Sequence, residues 1–146
     1  MPMRPLVSIA LAAAICGCGQ PQAPFVDHAY VRLPAVPGNP GVAYFQLHGG
    51  ATPATLRRVS SPRIARAELH ESMDHGGMTM MAPIAAVAVP ARVTVTFKPG
   101  GKHVMLHGVG GDVAKGTTIP LIFDFEGQQP ITIDVPVIGA GDPPPS

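Results

Sequence analysis

The sequence predicts an all-β sandwich, and three observations predict it. Several short segments alternate apolar and polar residues with a period of two, which marks half-buried antiparallel strands. Gly and Pro make up 17 and 18 of the 146 residues and gather between those segments in turn-forming groups. No stretch shows a long helical period with caps at both ends. A hydrophobic share of 46% with only 13% charged residues supports a packed, turn-rich domain over a disordered chain. The length suits one domain with a modest core.

The elements follow in chain order. Residues 1–17 carry Arg4 and then an apolar run from Leu6 to Ile15, too short for a bilayer span of ~20 residues. This is the pattern of an export signal. Ile15-Cys16-Gly17-Cys18 resembles the bacterial lipoprotein box, which implies cleavage before Cys18 and lipidation of Cys18. Cys16 is not the lipidated residue, because bulky Ile15 precedes it. Residues 18–27 then form a lipidated Cys and tether, 28–138 the sandwich domain, and 139–146 a flexible tail. Gly19 after the Cys resembles the outer-membrane sorting rule of Gram-negative lipoproteins. With Cys16 removed and Cys18 lipidated, no disulfide, CxxC pair or zinc–cysteine site is available.

About eight or nine short strands are expected: 28–33, 42–48, 55–59, 64–71, 78–82, 91–97, 103–107, 118–125 and 130–137. Val93, Val95 and Phe97 alternate with Arg92, Thr94 and Thr96; Ile131, Ile133, Val135 and Val137 alternate with Thr132, Asp134 and Pro136. Turn formers separate them, including 37–41 (PGNPG), 99–101 (PGG) and 110–112 (GGD). Such a chain suits a β-sandwich or a small Greek-key barrel. Pro120 and Pro136 inside strands predict edges or bulges there.

The chemistry concentrates in two segments. Loss of Met1 and Met3 with the signal leaves five Met, of which Met73, Met78, Met80 and Met81 crowd into LHESMDHGGMTMM beside His70 and His75. Asp74, Gly76 and Gly77 in the same run do not suit a packed core. The second segment is His103-Val104-Met105-Leu106-His107. In a strand, His103, Met105 and His107 share a face, with successive Cα atoms ~6.5–7 Å apart. Thioether and imidazole together favour Cu(I); zinc prefers Cys, His and carboxylate, and calcium and magnesium prefer oxygen. A blue-copper centre needs a thiolate that the mature chain lacks.

The spacing His70-x10-Met81-x21-His103-x-Met105 resembles the pattern of the PCu(A)C-type periplasmic copper chaperones. The flanks Val59-Ser60-Ser61-Pro62, Glu68-Leu69-His70-Glu71 and Lys98-Pro99-Gly100-Gly101 are also similar to that family, and the likeness covers roughly 28–137. It implies a cupredoxin-like Greek-key β-sandwich holding one Cu(I) at an exposed site with ligands His70, Met81, His103 and Met105. Met73, His75, Met78, Met80 and His107 stand as secondary candidates, with Met80 on the face opposite Met81. His28 and His48 are read as ordinary structural histidines. Some family members carry a Met- and His-rich C-terminal tail with a second copper site; GAGDPPPS has neither residue.

The resemblance further implies a periplasm-facing copper chaperone, anchored to the membrane through lipid or soluble if Cys18 is not lipidated. The implied partners are the copper subunit of cytochrome c oxidase, a Sco-type thiol protein, or both. A net charge of +1 gives no electrostatic footprint for nucleic acid. A monomer is expected. Enzyme motifs such as GxSxG, HExxH or a phosphate loop are missing from the sequence, so no catalysis is expected. The competing readings are a copper tolerance or storage protein using the same ligands, and a structural sandwich without metal.

Overall fold

A computed structural model describes residues 19–146. The export signal over 1–17 and the lipidation at Cys18 lie outside the described residues. Ten strands form: β1 Phe25–Arg32, β2 Gly41–His48, β3 Ala54–Ser60, β4 Ile64–His75, β5 Met78–Pro83, β6 Val87–Val89, β7 Thr94–Phe97, β8 Lys102–Val109, β9 Thr118–Phe125 and β10 Ile131–Ile138. The described residues contain no helix. The all-β expectation holds, with one strand more than expected.

The hydrogen-bonded order is β5-β4-β8-β7-β2-β1-β10-β9-β3-β6, and β8 also pairs with β2. The two layers join where β1 runs parallel to β10, through Val31↔Val137 and Arg32↔Ile138. Alternation decides what the layers bury. In β2, Ala43, Phe45 and Leu47 are buried, while their neighbours along the strand are half-buried. In β9, Ile119, Leu121, Phe123 and Phe125 are buried. Phe45 stacks on Phe97 of β7 at 4.2 Å and meets Phe123 edge-on at 4.9 Å, so three rings bridge the sandwich. Aromatic pairs of this kind contribute about 0.5–1.5 kcal/mol beyond the area they bury.

Several boundaries differ from the sequence reading. β1 begins at Phe25, so the last three residues of the 18–27 segment pair with β2. β7 begins only at Thr94, because Arg92 takes φ 61° and Val93 N–H closes a turn onto Pro90 O at 3.2 Å. β4 runs on to His75 because its outer half pairs with β5. β6, three residues long, had no alternation to reveal it; it pairs with β3 through Ala54↔Val89. In the 139–146 segment, the Arg32 guanidinium donates to the carbonyls of Ala140 and Asp142 at 2.9 and 2.7 Å. Lys115 also donates to the Asp142 carboxylate at 2.8 Å.

The prolines call for a correction. β9 and β10 are interior strands, and their pairing is regular from Ile131↔Phe123 to Pro136↔Thr118. Val137 N–H donates to Thr117 O, so alternation turns the nitrogen of Pro136 toward β1. Pairing of β10 with β1 begins only at Val137. By the same alternation, the nitrogen of Pro120 faces β3, whose pairing with β9 reaches only to Ile122. Each proline therefore sits on a stretch of strand side where the partner does not reach.

Candidate metal centre

β8 is held between β4 and the β7/β2 strands, and β4 between β8 and β5. The register places His70 opposite His103, Glu68 opposite Met105, and Arg66 opposite His107. Val104 and Leu106 are fully buried on the core side. His103, Met105 and His107 therefore share the other face, as alternation predicted.

The imidazoles of His70 and His103 lie 5.8 Å apart between ring centroids. His103 is only 4% exposed. Its Nδ1–H donates to Gly101 O at 2.9 Å, and this bond selects the tautomer that leaves a lone pair on Nε2. His103 Nε2 is buried and has no hydrogen-bond partner. His70 mirrors it: Nε2 faces Glu68 Oε2 at 3.4 Å, and Nδ1 is buried without a partner. A buried polar atom left unpaired costs about 1–3 kcal/mol. His107 Nε2 is also buried without a hydrogen bond, and the nitrogens of His70 and His103 stand on facing rings, an arrangement able to ligate a metal ion.

Met81 and Met105 complete the pattern. Met81 pairs with Ser72, the next residue beyond His70 on the same face of β4. Met105 pairs with Glu68, the residue before His70 on that face. Each Met is thus one diagonal step from His70, ~7–8 Å between Cα atoms and within reach of a long side chain. Among the described residues, His, Cys, Asp and Glu form no group of three able to hold a metal ion, and the register offers the His pair the thioethers of Met81 and Met105. That donor set is soft and suits Cu(I).

Glu68 is the residue that sequence reasoning missed. It stood only as part of a flank, yet its carboxylate lies 3.4 Å from His70 Nε2 and 3.2 Å from His107 Nε2. The hydrogen bond to His70 is the largest influence on the carboxyl; with the nearby Arg66 and His107 it holds the group below its ordinary 4.5, against a smaller desolvation effect. The available signal was period two: residue 68 shares the face of residue 70. His107 reaches the centre through Glu68, since its partner across the strands is Arg66.

The other secondary candidates lie elsewhere. Met73 pairs with Met80 and His75 with Met78, on the face of the β4–β5 hairpin opposite Met81. His75 ends β4, next to the turn. His48 contacts Asp27 at 2.8 Å and Thr94 at 2.9 Å and stacks on Phe25 at 4.4 Å. Burial raises the Asp27 carboxyl, but hydrogen bonds from His28 and His48 outweigh it and leave the group lowered. Both histidines thus engage Asp27.

Comparison with known proteins bears on this geometry. The fold is similar to the copper-bound PCuAC domain from PmoF2, at TM-score 0.67 and 21% identity, covering 83% of this chain and 97% of that one. It is also similar to the solution structure of CuI-DR1885 from Deinococcus radiodurans, at TM-score 0.62 and 25% identity, covering 75% and 74%. The cupredoxin-like expectation for the sandwich stands. An uncharacterized protein of Rickettsia prowazekii is 28% identical over 83 residues, 56% of this chain and 46% of that protein. The chain spans about half the length of the curated relatives it matches. The family model described as "Putative lipoprotein LpqE-like" matches residues 25–137, the whole of the sandwich apart from its last residue, and the chain belongs to this LpqE-like family.

Proposed function

We propose that this protein is a metallochaperone that binds one Cu(I) through His70, Met81, His103 and Met105 and passes it on by ligand exchange. The observation that carries the reading is the pair of buried, partnerless nitrogens, His70 Nδ1 and His103 Nε2, on rings 5.8 Å apart. The copper named for similar domains supports it. A thiolate or thioether of the acceptor displaces one ligand at a time, so the ion is never free. Met81, 60% exposed on the outermost strand, leaves first, and buried His103 leaves last. No catalytic step is needed.

The destination we favour is the dinuclear copper centre of cytochrome c oxidase, directly or through a Sco-type thiol protein. The lipoprotein box at Cys18 and the family's description support an exported protein anchored by lipid, which we read as a monomer facing the periplasm. Competition for Cu(I) with a bicinchoninate-type chelator tests the site. One tight equivalent should be lost in both His103→Ala and Met105→Ala, and unchanged binding in both would sink the assignment. A deletion strain tests the destination. Loss of oxidase activity supports delivery, whereas loss of copper tolerance alone supports a storage role.

A further inference from the structure

The β4–β5 hairpin projects past the end of β8. The last register pair to β8 is Glu71↔Lys102, followed by one bond from Ser72 N–H to Gly101 O. Beyond it, both faces of the hairpin are open to solvent. The face it shares with His70 carries Ser72 and Met81, with Thr79 donating to Asp74 at 3.0 Å. Its other face continues the core side of the sheet from buried Leu69 and carries Met73 opposite Met80 and His75 opposite Met78.

Directly opposed side chains have Cβ atoms about 4.5–5.5 Å apart. Three thioethers and one imidazole are thus gathered in two adjacent cross-strand pairs. The two-residue turn Gly76-Gly77 holds φ 57° and 84°, the positive angles that lock a tight hairpin and its register. Met73, Met78 and Met80 are 46%, 72% and 55% exposed, so they fill no core. The carboxylate of Glu71, on this same face, is taken by Lys102 at 2.7 Å. The donors left are sulfur and nitrogen, a set that selects a soft ion over zinc, calcium or magnesium. The hairpin backbone separates these donors from those at His70, so one ion cannot use both.

We propose that Met73, His75, Met78 and Met80 form a second Cu(I) site on the face of the hairpin opposite Met81. It is more exposed than the His70–His103 centre, so it gains and loses copper faster. It shares no ligand with that centre and stands whether or not the first reading holds.

The test is Cu(I) titration of the reduced full chain against bicinchoninate, with methionine methyl resonances followed in parallel. Wild type should take two equivalents, the second released first as chelator rises, and with it the methyl signals of Met73, Met78 and Met80 should shift. Met73→Leu/Met80→Leu, which keeps apolar volume, should take one equivalent. His103→Ala/Met105→Ala should also take one, at the hairpin, with those methyl shifts retained. If that variant keeps both equivalents while Met73→Leu/Met80→Leu loses one, the first centre is misassigned and the second stands. A wild type that takes one equivalent without these methyl shifts overturns the proposal and leaves the Met face as an apolar contact surface. Two equivalents retained in Met73→Leu/Met80→Leu overturn it as well.

Discussion

The two halves of the proposed copper centre are built very differently. His103 and Met105 stand on β8, which is paired on both sides and backed by fully buried Val104 and Leu106. Met81 stands on β5, which has β4 on one side and no partner strand on the other. In the proposed role the first half would fix geometry and the second would allow exchange. A carrier needs both, because a site that is rigid throughout releases metal slowly and one that is loose throughout does not select it.

Substitutions can break this comparison. His103→Ala should have the largest effect on copper, because it removes the buried anchor. Loss of an outer positioning group typically costs about 10–100-fold in metal affinity, and loss of this ligand should exceed that in chelator competition. Leu106→Ala, under the same strand, should have the largest effect on the fold. A fully buried Leu truncated to Ala costs about 2–5 kcal/mol, to be read from denaturant unfolding. Met81→Leu should leave stability within about 0.5 kcal/mol, as surface changes do. It should speed copper loss to a chelator in stopped flow more than it slows uptake. If Met81→Leu and His103→Ala proved equivalent in both readouts, the contrast between halves would be wrong.

Glu68→Gln sharpens the comparison with a smaller effect, about tenfold in affinity at neutral pH. The sign in acid follows from the lowered carboxyl. A group held below its ordinary value contributes to the folded state at pH above that value, and the contribution is lost as pH falls through the lowered one. The stability difference between wild type and Glu68→Gln in the metal-free protein should thus shrink in acid and vanish below the lowered value. Copper binding should weaken earlier on acidification, because imidazole must be neutral to ligate.

The fold was legible wherever one face of a strand meets the core. In β2, β9 and β10, alternation and burial coincide almost residue for residue. It was less legible where pairing sets the limits. β6 is too short to show a period, and β7 starts late because of the backbone at Arg92. Pro120 and Pro136 read as edge signals, because the sequence does not say how far the neighbouring strand extends. The β4–β5 hairpin was legible in part: Gly76-Gly77 marked the turn, but not that β4 runs twelve residues and changes partner along its length.

The sequence by itself determined the ligand types, their spacing and the face that His103, Met105 and His107 share, because strand geometry fixes which way successive side chains point. It also assigned Met80 and Met81 to opposite faces, which the hairpin register matches. Only the tertiary structure decided that His70 stands opposite His103, that each ring keeps one nitrogen without a partner, and that Glu68 links His70 to His107. These facts depend on the pairing of β4 with β8, in which the partnered residues lie more than thirty positions apart in the chain. Register between distant strands is set by how all the buried side chains fit at once, and no local pattern records it.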